Sequence, residues 1–90
     1  MSVKVHIHPF LIHLAESKDI HEVDGKTVRA CLEKLVERYP KLDEWLFDKD
    51  RNLNNMFDVF VNMQSTLSER LETKVADGDD INLVVVIAGG

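Results

Sequence analysis

The sequence predicts an α+β fold in which a mixed sheet carries one main helix across one face. Three patterns lead to this prediction: an alternating apolar and polar start, a long amphipathic stretch near the middle, and an apolar β-like run near the end. The predicted order is strand, strand, long helix, short helix, strand, irregular segment, strand. With 90 residues, one domain with a single core is expected.

The first strand is predicted where Val3, Val5 and Ile7 alternate with polar residues. This period of two is typical of a strand with one buried face. Pro9 lacks a backbone donor and should end regular pairing. The apolar segment 10–14 that follows is expected to form a buried turn or a short helix.

The main helix is predicted to begin after Thr27, a plausible N-cap, and to end at or before Tyr39 because Pro40 follows. A weaker second strand precedes it at 20–23, closed by the turn dipeptide at 24–25. Helical spacing of the apolar residues defines one buried stripe. The stripe consists of Val28, Cys31, Leu32, Leu35, Val36 and Tyr39.

The second half of the chain alternates short regular runs with turns. A polar loop is predicted at 48–55, a third strand at 57–61, an irregular connection at 67–75 with room for one short strand, and a turn at 77–79. The last strand is predicted at 81–87. A short helical turn that packs on the core is expected from Leu42, Trp45, Leu46 and Phe47.

The last strand is apolar on both faces, which is typical of a central or covered strand. The residues expected to face the helix are Ile81, Leu83, Val85 and Ile87. The opposite face would carry Val84, Val86 and Ala88. If no element of the domain covers that face, it is an apolar patch available to a partner.

The chain closes on Gly89 and Gly90 directly after this strand. Two residues without Cβ form a thin backbone that can enter a narrow channel and present a free α-carboxylate. The interpretation is therefore a globular domain over 1–87 and a flexible Gly-Gly tail over 88–90. A frayed terminus without a role is the alternative.

Composition narrows the classes of partner. The net charge of −5 and the pI of about 5.2 disfavour nucleic acid and favour a basic protein surface. No apolar run approaches the length of a membrane helix, so no membrane partner is expected. A single cysteine, Cys31, leads to the expectation of a reducing, cytoplasmic setting.

Potential metal or redox sites receive other interpretations. His6 and His8 would share a strand face, and His21 could approach them if the first two strands pair, yet no ligand completes a site, so solvated histidines are predicted. Cys31 lies on the apolar stripe and is interpreted as a core residue. The segment 48–59 resembles an EF-hand loop without the required Gly and Glu, so calcium is not expected.

Several motifs occur in one order along the chain. They are Val3-Lys4-Val5, Thr27-Val28, Glu37-Arg38-Tyr39-Pro40, Val59-Phe60-Val61-Asn62, Leu71 to Val75, Asp77-Gly78-Asp79-Asp80-Ile81 and Ala88-Gly89-Gly90. With this set the chain resembles the ubiquitin-like MoaD/ThiS sulfur carriers over nearly its whole length. The resemblance implies a β-grasp fold, and the length favours the molybdopterin-synthase small-subunit branch or the cysteine-biosynthesis carriers.

The resemblance also implies a role. An activating (E1-like) enzyme would use ATP to adenylate Gly90, and sulfur would then give a thiocarboxylate for a synthase subunit that accepts it. The chain itself would be a cosubstrate without a bound cofactor or metal, and the pathway expected is molybdopterin biosynthesis. The docking surface implied by the family is Phe60, Val84, Val86 and Ala88. A ubiquitin-like modifier joined to lysine through Gly90, or a pure interaction module, is the alternative.

The chain departs from the family pattern in two places. Val84 to Ile87 stand where molybdopterin-branch members commonly carry prolines, and Met63-Gln64 follow Asn62 where Gly is frequent. Valine and isoleucine prolong a strand that proline would interrupt. Both departures leave the carrier interpretation in place and bear on which pathway is served.

Overall fold

The computed structural model describes residues 2–86, which form a five-stranded mixed sheet with one main helix on one face. This confirms the predicted α+β, β-grasp architecture. The strands are β1 Val3–His6, β2 Ile20–Val23, β3 Phe57–Val61, β4 Gln64–Ser65 and β5 Asp80–Val85. The helices are α1 Val28–Arg38 and α2 Asp43–Leu46, and 3₁₀ turns occupy Pro9–Leu14, Pro40–Leu42 and Arg70–Glu72.

The strand order is β2-β1-β5-β3-β4. The β1–β5 pair is parallel and the other pairs are antiparallel. The last strand therefore lies at the centre, with hydrogen-bonded neighbours on both edges. This confirms the central position predicted for the last strand; its inward residues Ile81 and Leu83 are buried, whereas its other face carries Asp80, Asn82 and Val84.

Helix α1 forms as its sequence predicts. The Thr27 hydroxyl caps it by accepting a hydrogen bond from the Ala30 amide at 3.1 Å. At the other end the Tyr39 amide still donates to the Leu35 carbonyl, immediately before Pro40. The predicted stripe is buried at Val28, Cys31, Leu32 and Leu35, and Val36 and Tyr39 pack at its margin.

Two segments differ from the sequence prediction. The strand β4 lies just outside the connection where a short strand was considered, and that connection contains a 3₁₀ turn, Arg70–Glu72. In the loop predicted as polar, Leu53 is buried and bridges to Phe47. Neither the β4 strand nor the Leu53–Phe47 bridge has a periodic signal in the local sequence, because each depends on a partner segment that only folding brings close.

Candidate functional site

The face of the sheet turned away from α1, here called the outer face, carries every second residue of each strand. Its central row crosses three strands: His6 on β1 stands opposite Asn82 on β5, which stands opposite Phe60 on β3. All three residues of this row are partly exposed. The outer face is therefore accessible to another molecule.

Phe60 and Val84 share the outer face as diagonal neighbours, since Phe60 pairs with Asn82 and Val84 pairs with Asp58. Diagonal positions lie about 7 Å apart, within reach of an aromatic ring. Both side chains are half-buried. Val86 follows at 43% exposure.

The residue after β5 is hydrogen-bonded to the residue that precedes β3. The Val86 amide donates to the Met56 carbonyl at 2.7 Å, so the chain is still hydrogen-bonded to its neighbour at the last described position. The other predicted site residues, Ala88, Gly89 and Gly90, lie outside the described residues, as does Ile87. The last described residue is therefore fixed to the end of the sheet.

Charged side chains surround the apolar pair on the outer face. His6 Nε2 lies 2.9 Å from Asp80 Oδ1, and Arg70 Nε lies 3.8 Å from Asp58 Oδ1. Lys4 stands between Glu22 and Asp80 in the strand register. With Asp79 next in sequence to Asp80, carboxylates outnumber permanent cations around Phe60. Such a surface favours a partner with basic residues.

Asn62 joins the β3–β4 turn to the acidic turn at 77–80. Its side-chain amide donates to Asp79 Oδ1 at 3.0 Å, and its side-chain oxygen accepts from the Asp80 amide at 2.9 Å. Its backbone amide donates to the Asp80 carbonyl at 2.8 Å. The hydrogen bond from Asn62, followed by that from the Ala76 amide, lowers the pKa of Asp79 below its ordinary value.

One residue of this site was not predicted from sequence. Met63 lies at the tip of the β3–β4 turn, is 78% exposed and has a φ of 68°. Its Sδ accepts a weak hydrogen bond from Asn82 Nδ2 at 3.8 Å, which places the side chain beside the central row. The available signal was an apolar residue at a turn position where glycine is typical.

A second unpredicted feature is an aromatic cluster at the tail end of the sheet. Phe10 stacks on Phe57 with ring centroids 6.3 Å apart and meets Trp45 edge-to-face at 5.6 Å. Phe57 is the residue opposite Val85 in the register. Phe10 and Trp45 are 36% and 37% exposed. The segment 10–14 forms the short helix that was one of its two predicted options, and the predicted helical turn packs on the core through Leu42, Leu46 and Phe47. Only the prediction that Trp45 packs on the core with them is wrong.

The histidines are distributed differently from the sequence prediction. His21 pairs with Val5 and is therefore on the core side of the sheet, with 3% of its surface exposed. Its Nε2 lies 2.8 Å from the Lys18 carbonyl, and its ring meets Tyr39. The predictions that His21 approaches His6 and is solvated are wrong, because pairing with Val5 turns it to the opposite face. Within residues 2–86, no cluster of His, Cys, Asp or Glu could hold a metal ion.

Cys31 is fully buried under the turn at Asp24 and Gly25. Burial, followed by the charge of Asp24, raises the pKa of its thiol to about 11. A thiol that stays protonated is a poor nucleophile, which agrees with its interpretation as a core residue. No helix in the range 2–86 combines the length and the apolar character needed to cross a bilayer.

Comparison with known proteins identifies the family. The model of the ThiS family matches residues 9–90. SAMP1 from Haloferax volcanii has 27% identity and a TM-score of 0.83, with 100% of each chain covered. The small archaeal modifier protein 1 from Methanosarcina acetivorans has 26% identity and a TM-score of 0.84, over 99% of this chain and 96% of that one.

A chain of the BexX/CysO complex from Amycolatopsis orientalis is also similar. It has 26% identity and a TM-score of 0.84, over 98% of this chain and 99% of that one. The search of curated proteins returned no match. The family model covers nearly the whole chain. Each of the three structures aligns with at least 98% of the chain and has the same fold. The chain belongs to the ThiS family, whose MoaD/ThiS-type members have the ubiquitin-like β-grasp fold.

Proposed function

We propose that this chain is a sulfur carrier that works through its C-terminal carboxylate. The observation that carries the proposal is the position of β5: a central strand, paired on both edges, stands in the sequence just before the segment 86–90, which ends in Gly89 and Gly90. Membership of the ThiS family supports the same role. The body of the protein remains outside the partner while the tail enters it. Three extended residues, 88–90, span at most about 10 Å.

The chemistry starts from a carboxylate anion, which is a poor electrophile at neutral pH. An activating enzyme uses ATP to convert the Gly90 carboxylate to an acyl-adenylate, releasing pyrophosphate. A sulfide or persulfide sulfur then attacks the carbonyl carbon and AMP leaves, giving a thiocarboxylate; a persulfide donor also needs a thiol to reduce its S–S bond. The anionic sulfur attacks the final acceptor. The carrier supplies the reacting atom and a docking surface, and no catalytic group of its own.

The docking surface that we propose is Phe60 and Val84 on the outer face, extended by Val86 and Ala88 toward the tail. An activating enzyme and a sulfur-accepting synthase subunit would use it in turn, since both must reach Gly90. Its apolar centre and acidic surroundings support a protein partner. The similarity to a chain of the BexX/CysO complex supports a protein partner. Of the two branches that the length of the chain favours, molybdopterin synthesis and cysteine biosynthesis, we propose the first.

A second function is favoured by one observation, the 26% identity to a protein described as a small archaeal modifier. A modifier would join Gly90 to a lysine amine and release AMP from the same adenylate. The two functions share activation and differ in the nucleophile that follows. Their products therefore distinguish them.

The test is incubation of the full chain with the activating enzyme of its organism, ATP and sulfide, followed by intact-mass analysis. A sulfur carrier gains the mass of one oxygen-to-sulfur exchange, located at Gly90 by fragmentation. The matched control lacks Gly90 and should gain nothing. Lysine conjugates without the exchange would support the modifier. An unchanged mass together with unchanged partner activity of the control would leave only an interaction module.

A further inference from the structure

The turn between β3 and β4 contains an unfavourable residue. Asn62 and Met63 have φ values of 51° and 68°, so two consecutive residues adopt the left-handed conformation. Such two-residue hairpin turns favour Asn followed by Gly. Asn tolerates this conformation, whereas the Cβ of Met is crowded by the backbone. Met63 therefore occupies a position where glycine would be more stable.

Burial of the side chain does not offset this backbone strain, because Met63 is 78% exposed. Its side chain lies back over the outer face, where Sδ meets Asn82 Nδ2 at 3.8 Å. Asn82 is directly opposite Phe60 in the register. The exposed, flexible thioether of Met63 thus borders the docking surface at Phe60. Methionine adapts well to irregular partner surfaces.

The surroundings of Met63 are anionic. Asn62 fastens the turn to Asp79 and Asp80 through two side-chain hydrogen bonds. Asp77 lies two residues before Asp79 in the same turn. One of its carboxylate oxygens accepts a hydrogen bond from the Ser2 amide at 2.6 Å. The result is an apolar projection beside the carboxylates of Asp79 and Asp80, which complements apolar side chains bordered by lysine or arginine.

We propose that Met63 is a specificity-determining contact of the docking surface and that its partner is the activating enzyme, through an apolar site edged by basic residues. The inference rests on the proposed function. It assigns the strained turn to recognition: Met63 is retained for the contact it makes in the complex. Stability and docking therefore place opposite demands on this position.

The test is the Met63→Gly substitution in the full chain, with the dissociation constant for the purified activating enzyme measured by calorimetry. Binding should weaken by about tenfold, the loss expected for one buried methionine contact. The melting temperature should stay the same or rise, because glycine accepts the left-handed conformation. A residue with a purely structural role would not separate the two readouts in this way. Added salt should weaken the wild-type complex, since the contact includes carboxylates.

The chain provides a control matched in backbone conformation, Ser17→Gly. Ser17 is exposed and has a φ of 58°, and it lies just before β2, at the edge of the sheet opposite to the β3–β4 turn. This control should also keep or raise the melting temperature, and its binding should equal that of wild type. If both variants bind alike, the inference is wrong. If Met63→Gly lowers the melting temperature, Met63→Leu should restore binding, and failure to do so also overturns it.

Sulfur transfer separates this inference from the proposed function. If wild type gains sulfur and Met63→Gly shows an unchanged KM as carrier, only the inference fails. If wild type binds the enzyme in a Met63-dependent manner but gains no sulfur, only the proposed function fails. At saturating concentration, Met63→Gly should still acquire sulfur, because the substitution weakens docking and leaves Gly90 intact.

Discussion

Asn62 provides a quantitative test of how the acidic turn is fixed to the sheet. The Asn62→Gly substitution removes two hydrogen bonds, of 3.0 Å to Asp79 and 2.9 Å from the Asp80 amide. The backbone hydrogen bond from residue 62 to the Asp80 carbonyl remains. Because glycine accepts a φ of 51°, the variant loses only the side-chain contacts. The Asn62→Ala substitution loses the same contacts and adds backbone strain.

The expected magnitudes follow from these contacts. At about 0.5–1.5 kcal/mol for each hydrogen bond, Asn62→Gly should lower the free energy of unfolding by about 2 kcal/mol. Alanine in the left-handed region costs about 1 kcal/mol more, so Asn62→Ala should lower the free energy of unfolding by about 3 kcal/mol. Small domains have about 5–15 kcal/mol in total. Both changes are therefore measurable.

The assay is equilibrium unfolding in urea at pH 7, repeated at lower pH. Asn62 lowers the pKa of Asp79 in the folded state. A lowered pKa contributes stability that is present above the unfolded-state value, about 3.9 for Asp, and is lost as the pH falls through the folded-state value. The difference between wild type and Asn62→Gly should therefore narrow below about pH 4.

Three results would refute this reasoning. Equal stability of Asn62→Gly and wild type would show that the two hydrogen bonds contribute nothing to folding. Equal stability of the Gly and Ala variants would show that the left-handed conformation at residue 62 is not a source of strain. A pH-independent difference would remove the link between Asn62 and the ionisation of Asp79.

Three further predictions concern the docking surface and the core. Phe60→Ala should weaken binding to the activating enzyme by more than about tenfold and leave the folded far-UV spectrum unchanged; unaltered binding would exclude Phe60 from the interface. Cys31, whose pKa burial raises to about 11, should resist iodoacetamide at pH 8 in the native protein and react in urea, while Cys31→Ala should still acquire sulfur. Gly25→Ala should lower the free energy of unfolding by at least about 2 kcal/mol, since its Cβ would lie 2.9 Å from both the amide nitrogen and Sγ of Cys31. In the Cys31→Ala background only part of this stability should be regained, because the contact with the amide nitrogen remains. Full recovery of stability would show that this backbone contact is harmless.

The elements with strong local signals were predictable. The α1 helix has an apolar stripe, the Thr27 cap and Pro40 beyond its end, and each acts within a few residues. The β5 strand was predicted as central or covered from its two apolar faces, and the sheet order confirms a central position. The resemblance to the MoaD/ThiS carriers was likewise carried by motifs in the sequence, and the family match confirms it.

Features that depend on strand register were not predictable. His21 looked like a partner of His6, but pairing with Val5 turns it into the core. Trp45 fits a helical turn equally well whether buried or at the margin, and its neighbour Phe10 is distant in sequence. Local patterns specify which residues alternate, whereas long-range pairing decides which face each alternation presents.

The sequence by itself determined the class of fold, the family and the Gly-Gly terminus, because these follow from periodicity and from residues adjacent in the chain. Only the tertiary structure decided that Phe60 and Val84 are diagonal neighbours, and that Met63 borders them beside an acidic turn. The physical reason is that these groups come from strands β3 and β5 and the turns between them, about twenty residues apart in sequence. Their approach is fixed by inter-strand hydrogen bonds, which no local segment encodes.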